Sequence, residues 1–203
     1  MMQWWSLTPT LKPLDTLFLA YLAERYQLQS VDQALWAIAY AYVRGDSRIT
    51  IDELRAYIVR VPALRENPDA AKDAVKGLRR LEALQDGGNT EEGATDLRFK
   101  ARYRDWYSPR FIYRVGPTEL LIFHYIAAFY GRPVDYAIRR AVRTYMLVDK
   151  RIKIEKFKEY VDKRIEEDTP RAVKDEVTSA MEELVVGRQT IVEQKRKSGR
   201  PVA

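Results

Sequence analysis

The side chains best suited to chemistry in this 203-residue chain are cationic, and they are clustered. Between residues 97 and 114 a single acid, Asp105, stands among Arg98, Lys100, Arg102, Arg104, Arg110 and Arg114. From residue 188 onward, Glu193 alone accompanies Arg188, Lys195, Arg196, Lys197 and Arg200. Guanidinium and ammonium groups gathered in this way neutralise phosphates and attract polyanions. The clusters therefore indicate a nucleic acid or another anionic surface as partner.

The charge is divided unevenly along the chain. Residues 1–95 hold 11 basic and 13 acidic side chains, whereas residues 96–203 hold 24 and 16, so the second part supplies more than the whole net charge of +6. Arginine outnumbers lysine by 23 to 12, a balance compatible with a thermophilic host. We expect the basic second part to make the contacts with a polyanion.

Residues for other kinds of chemistry are scarce. The chain has one histidine, no cysteine and no carboxylates grouped at metal-ligand spacing, so we expect no metal, no cofactor and no disulfide. It carries no glycine-rich phosphate loop and no nucleophile elbow, and Glu53 and Asp135 stand where helix capping explains them. We expect neither an enzyme nor a small-molecule ligand, and we expect His124 to lie on or beside the core.

No segment predicts passage through a membrane. The longest apolar runs, at 34–43 and 120–130, are about half as long as a bilayer-spanning helix requires. The first ten residues do not show the pattern of a secretory signal. We therefore expect a cytoplasmic protein, associated with the nucleoid if it binds DNA.

The sequence that forms the elements carrying these cations contains an internal repeat. Twenty identical pairs occur in one order at a separation of 102 to 104 residues, from Trp4 and Trp106 to Val75 and Val177. The sequence thus predicts a tandem duplication, with a first, near-neutral to acidic repeat at 1–95. A basic ribbon, the second repeat and a basic C-terminal tail follow at 96–203.

Each repeat predicts four helices. In the first repeat they lie near 14–26, near 31–43, from Thr50 and after Asn67-Pro68, where a capping side chain precedes proline. The second of these is apolar almost all round and should be central. Core positions predicted on the fourth helix are Val75, Leu78 and Leu81, and in the second repeat Val177, Met181 and Leu184.

A basic hairpin is predicted between the repeats. Apolar Leu97, Phe99, Ala101 and Tyr103 alternate with Arg98, Lys100, Arg102 and Arg104, which is the period of a strand with one basic face. Residues 111–115 would form the partner strand. The predicted fold class is therefore mainly α, a duplicated four-helix unit with short basic hairpins.

The order of helix, short I-x-I segment, helix, turn, helix and basic hairpin resembles a tandem winged helix-turn-helix domain. The residues that carry the resemblance are 48–54, 67–84 and the ribbon from Leu97, then 151–157, 169–184 and 190–202. The resemblance implies that Arg171, Lys174, Asp175 and Thr178 face base edges, and that Lys195, Arg196, Lys197 and Arg200 contact phosphate or the minor groove. We add Arg139, Arg140 and Arg143 of the second repeat to the predicted DNA-binding residues.

A second interpretation uses a different part of the same pattern. Residues 111–115, a helix at 117–130, the turn Gly131-Arg132-Pro133 and a helix at 134–147 resemble the ribbon-helix-helix repressors. This resemblance would place Ile112 and Arg114 in the groove. Pro9 makes 7–12 a poor central strand in the first repeat, and the winged interpretation also accounts for the third and fourth helices.

Three functions are consistent with these patterns. The leading hypothesis is a protein that binds duplex DNA, as a transcriptional regulator, mainly through phosphate contacts of the second repeat and the ribbon. The alternatives are a DNA-packaging coat subunit of a filamentous archaeal virus, located in the virion, and a tandem winged-helix adaptor that binds protein. In each case we expect a homo- or hetero-oligomer.

Overall fold

The computed structural model describes residues 4–85, 112–165 and 169–197, which form a mainly helical protein. The first range contains β1 (Trp5–Leu7), α1 (Pro13–Arg25), α2 (Val31–Gly45), α3 (Ile51–Tyr57), a 3-10 turn (Ile58–Arg60), α4 (Pro62–Arg65) and α5 (Pro68–Gln85). The other two contain β2 (Tyr113–Val115), α6 (Pro117–Phe129), α7 (Val134–Val148), α8 (Ile154–Arg164) and α9 (Arg171–Lys197). None of the helices in these ranges is long and apolar enough to cross a membrane.

The helices begin where the sequence predicts. Pro13 and Pro117 occupy the first turns of α1 and α6, where the missing amide hydrogen costs nothing. Thr50 and Glu53 form the predicted capping box, with Thr50 Oγ1 accepting from the Glu53 amide at 3.2 Å and the Glu53 carboxylate accepting from the Thr50 amide at 3.0 Å. The Asn67 side chain accepts from the Ala70 amide at 3.1 Å and caps α5.

The core is continuous across both predicted repeats. The apolar helix α2 lies at its centre, in contact with α1, α6, α7 and β2. Five of the six predicted core residues of α5 and α9 are buried, namely Leu78, Leu81, Val177, Met181 and Leu184. Val75 is only partly buried, because the neighbouring Ala74 faces the core.

The two strands come from segments more than 100 residues apart, one near the start of the first repeat and one just before α6, so they do not form a local hairpin. β1 pairs antiparallel with β2, with Trp5 opposite Val115, Ser6 opposite Arg114 and Leu7 opposite Tyr113. Residues 97–103, the predicted partner of β2, lie outside the described residues. β1 ends before Pro9, so the proline does not interrupt the ladder. We call this pair the β1–β2 ribbon.

The predicted second wing at 190–202 is wrong over its first part. Residues 190–197 continue α9, which runs for 27 residues to Lys197. The physical reason is local, since no proline interrupts 188–197 and the glycine and proline of the tail come only at Gly199 and Pro201. The side chain of Arg188 also anchors this part of α9 to the end of α7, as described below.

Helices of each predicted repeat pack on the other repeat. α3 and α5 contact α6, whereas α8 and α9 contact α1. The approach of α5 to α6 is so close that a Cβ atom on Gly77 would lie 2.0 Å from Thr118 Oγ1. The halves are therefore interlocked around the pair formed by α2 and α7.

Candidate nucleic-acid interface

The β1–β2 ribbon presents one side to solvent. Alternate side chains of its strands point in opposite directions, so Tyr113 and Val115 are buried while Ser6 and Arg114 are exposed. Ile112, one residue before β2, is 64% exposed. The Arg114 guanidinium makes no ion pair with any residue in the described ranges. The outer side of the ribbon thus presents a cation, a hydroxyl and an apolar side chain.

Helix α2 holds the ribbon in place from below. The Asp32 carboxylate accepts from the Arg114 amide at 3.0 Å, and Trp36 Nε1 donates to the Arg114 carbonyl at 2.8 Å. Trp36 also stacks on Trp4, with 5.0 Å between ring centroids and 15° between planes. Burial raises the pKa of Asp32, and its contact with Arg114 opposes that rise. Both backbone polar groups of Arg114 are thereby satisfied from α2, which leaves its side chain free to point outward.

Helix α7 holds the segment that follows β1 in an equivalent way. The Thr10 amide, three residues after β1, donates to Asp135 in the first turn of α7. Asp135 also pairs with Arg139 at 2.8 Å. The first turns of α2 and α7 therefore both lie against the ribbon and its continuation.

Two buried acids lie in α1 and α6, the helices that follow the two strands. Asp15 of α1 is fully buried and pairs with Arg143 of α7 at 2.9 Å, while Glu119 of α6 accepts from the Tyr40 hydroxyl of α2. Burial raises the pKa of both carboxyl groups; the ion pair with Arg143 opposes this for Asp15, and the Tyr40 hydrogen bond for Glu119. Asp15 thus joins α1 of the first repeat to α7 of the second. Glu119 joins α6 of the second repeat to α2 of the first.

The cations predicted on α7 have internal partners. Arg139 and Arg143 pair with Asp135 and Asp15, as above, and Arg140 donates to the hydroxyls of Tyr42 and Tyr136 at 3.0 and 3.4 Å. The structure therefore accounts for all three through contacts within the protein. Their contact with DNA stays a prediction.

The cations predicted on α9 lie on a helix packed against α1 and α7. At its start, Arg171 is exposed and 3.9 Å from Asp175, Lys174 is partly buried and Thr178 is exposed. Lys197 is exposed at its end, and the side chains of Lys195 and Arg196 lie outside what the structure describes. Arg188 donates to the carbonyls of Met146, Asp149 and Ile152 and thereby closes the end of α7.

The structure brings together only part of the predicted site. Arg98, Lys100, Arg102, Arg104, Arg110 and Arg200 lie outside the described residues, so Arg114 is the one described cation of the first cluster. Sequence reasoning missed Ser6 as part of the ribbon, and Asp32 and Trp36 of α2 as the side chains that hold it. The repeat offered a signal, because Asp32 and Asp135 match, but it did not show that their carboxylates reach backbone amides of distant segments.

The described residues contain no group of three or more potential metal ligands. His124 is half-buried beside the core, as expected, and burial lowers its pKa. Comparisons with protein families, with curated proteins and with solved structures give no match for the chain. The geometry of the ribbon and the distribution of charge are therefore the basis for assigning a function.

Proposed function

We propose that the protein binds duplex DNA by inserting the β1–β2 ribbon into the major groove. The observation that carries the proposal is the exposed Arg114 side chain on a ribbon whose backbone is fixed by Asp32 and Trp36. The major groove admits a two-stranded ribbon, and an arginine there can donate to both acceptors of guanine. Ser6 and Ile112 supply a hydroxyl and an apolar contact on the same side.

Charge supports the same placement. Five further basic residues, from Arg98 to Arg110, precede Ile112 in the sequence, and residues 96–203 carry an excess of eight positive charges. Such an excess supplies the counterion release that drives association with DNA. The side chains that read bases would come from the ribbon and those that hold phosphate from the basic segment before it.

We also propose that the chain is a fused, duplicated unit that resembles a ribbon-helix-helix dimer more than tandem winged helices. Matched residues support it by making matched contacts. Asp32 accepts from the Arg114 amide in β2, and Asp135 accepts from the Thr10 amide three residues after β1, so each binds a segment of the other repeat. Asp15 and Glu119 each bind the central helix of the other repeat. Tyr21 meets Tyr160, and their matches Tyr125 and Tyr57 meet likewise, both at 5.4 Å between ring centroids.

The test is a titration of labelled duplex DNA at two salt concentrations with random-sequence competitor. If about eight phosphates are contacted, affinity falls by three to five decades between roughly 50 and 200 mM salt. Changing Arg114→Glu should weaken binding at least tenfold and lower the salt slope by about 1. Arg65→Glu is the matched control, because Arg65 is an exposed arginine on α4, which packs on α5 and the 3-10 turn. A flat salt response, or equal loss in both variants, would refute the proposal.

A packaging subunit is the second candidate, and the exposed side of α9 favours it. Val186 is 60% exposed and Val192 is 37% exposed, which suits contact between neighbouring copies in a filament. Electron microscopy of the protein with plasmid DNA separates the two functions. A regulator in a cytoplasmic nucleoid occupies discrete sites, whereas a coat subunit produces regular filaments that Val186→Lys would dissolve.

A further inference from the structure

A cleft of about 450 Å³ lies between the last turns of α2 and α7. Its walls are formed by Ala41, Tyr42, Gly45, Asp46, Arg48, Arg140, Thr144, Tyr145 and Val148. Asp46, which follows α2, is ten residues beyond Trp36, which binds the ribbon, and ten helical residues span ~15 Å. The cleft is thus a separate feature at the opposite end of the central helices.

The charges in the cleft do not cancel. Arg48 and Asp46 form a two-point ion pair, with distances of 2.8 and 2.7 Å from Nε and Nη2. Arg140 makes no ion pair within the described ranges, and its polar partners are tyrosine hydroxyls. The lining residues therefore carry two guanidinium groups and one carboxylate, which leaves an excess positive charge in a partly enclosed space.

The tyrosines hold Arg140 in a defined orientation. Its guanidinium lies 4.2 Å from the centroid of the Tyr130 ring, and Tyr42 accepts from its Nε atom. Arg48 donates to the Tyr130 hydroxyl at 2.8 Å. Burial would raise the pKa of Tyr130, but the hydrogen bonds with Tyr42 and Arg140 and the two nearby cations bring it below the ordinary value. The guanidinium is therefore oriented before any ligand arrives, which lowers the entropic cost of binding.

Arg140 has no counterpart in the first repeat. When α2 and α7 are aligned on Tyr42 and Tyr145, Ala37 stands where α7 has Arg140. Open space adjoins the cleft as well, because a Cβ atom on Gly45 would meet no atom within 4 Å. Tyr145, Val148 and Ala41 give the rest of the wall an apolar character.

We propose that this cleft binds a small organic anion, whose carboxylate or phosphate group pairs with Arg140 and whose apolar body lies against Tyr145 and Val148. Guanidinium groups bind both kinds of anion through paired hydrogen bonds. The volume is within the range of small-molecule sites. A DNA phosphate has the same charged group, so the test must distinguish a free anion from the DNA backbone.

The experiment is isothermal titration of the full chain with benzoate and, separately, with inorganic phosphate. Benzoate should bind saturably at one site and more tightly than phosphate, which lacks an apolar body. Arg140→Met should weaken benzoate binding at least about tenfold, the value of one charge-assisted hydrogen bond. Gly45→Leu should weaken benzoate binding similarly, because a leucine side chain in the cleft wall would take up part of the space. A Cβ atom at this position meets no other atom within 4 Å, so the substitution itself should not cause a clash.

Arg139→Met is the matched control, because the neighbouring arginine pairs with Asp135 outside the cleft. It should leave benzoate binding unchanged. Arg114→Glu, on the β1–β2 ribbon, should also leave benzoate binding unchanged although it weakens DNA binding, which separates the cleft from the surface proposed to bind DNA. Absence of saturable benzoate binding, binding equal to that of phosphate, or binding that survives Gly45→Leu would overturn the proposal; so would loss of benzoate binding in Arg114→Glu.

Discussion

Arg143 Nε lies 2.9 Å from Oδ1 of Asp15, and the Asp15 side chain is fully buried. The pair joins the first turn of α1 to α7 across 128 residues of sequence. Asp15 also accepts from the Lys12 amide at 3.3 Å and so caps its own helix. One carboxylate therefore fixes both the start of a helix and its position against the opposite half.

Removing the cation of this pair should cost more than removing both charges. Arg143→Met leaves a buried carboxylate without its counterion, and we expect the free energy of unfolding to fall by about 3 kcal/mol. The double variant Asp15→Asn with Arg143→Met should be more stable than Arg143→Met alone, since no uncompensated charge remains. Urea denaturation at neutral pH measures both. Additive effects of the two substitutions would contradict the role of the pair.

Glu119 should make stability depend on pH in a predictable direction. Burial raises its pKa above the ordinary value of 4.5, so the folded state binds this proton more tightly than the unfolded state. The free energy of unfolding therefore falls as pH rises from that value through the folded pKa. Glu119→Gln keeps an acceptor near Tyr40 and removes this fall.

The variant should gain stability over the original protein near pH 8 and lose that gain near pH 4, where the ordinary carboxyl is largely protonated. Denaturation at the two pH values measures the difference, and Glu53→Gln, an exposed cap on α3, is the control. Because hydrogen bonds from Thr50 lower the pKa of Glu53, its substitution should change the pH response in the opposite sense. A constant difference between Glu119→Gln and the original protein would show that Glu119 is ionised in the folded state as readily as in water.

Gly77 should tolerate no side chain while Thr118 is present. A Cβ atom there would lie 2.0 Å from Thr118 Oγ1 and 2.9 Å from Thr118 Cβ and Cγ2, and Thr118 is buried in α6. We expect Gly77→Ala to destabilise the protein by about 1–3 kcal/mol, although alanine favours a helix. Thr118→Ala should recover part of this loss in the double variant. A stabilising effect of Gly77→Ala would mean that α5 and α6 are not in close contact.

Local signals in the sequence predicted most of the helices, but not how they assemble. The prolines at positions 13, 68 and 117 and the capping pair Thr50 and Glu53 act within one turn, so they can be recognised without a fold. The pairing of Ser6 with Arg114 depends on which strands meet, and nothing local to either strand specifies that partner. The end of α9 was missed because the resemblance to winged domains implied a wing at 190–202, whereas residues 190–197 continue the helix and Arg188 holds it to the end of α7.

The same limit explains the candidate site. The alternation of side chains along a strand predicts that Ile112 and Arg114 point to the same side of β2. The carboxylate that accepts a hydrogen bond from the Arg114 amide, that of Asp32, lies 82 residues away in the sequence. The sequence predicts Arg140 as a DNA-binding residue from its charge, but it does not show the tyrosines that contact Arg140, which come from α2, from the end of α6 and from the start of α7. The number of charged side chains can be read from the sequence, whereas the side chains that neutralise or orient them depend on the fold.

Interlocking of the halves predicts how the protein responds to cleavage between them. α5 packs on α6, and α8 and α9 pack on α1, so separating the halves would expose the apolar faces of all these helices. A protease site inserted at residues 86–95, followed by cleavage of the folded protein, should therefore yield two fragments that elute together and unfold in one transition. The nicked protein should unfold at lower denaturant, because its fragments gain freedom when they separate. Gly77→Ala should weaken their association, whereas Lys72→Ala, on an exposed position of the same helix, should not. Elution of the fragments as separate folded species would contradict the packing of helices from each half on the other half, and it would favour two independent domains.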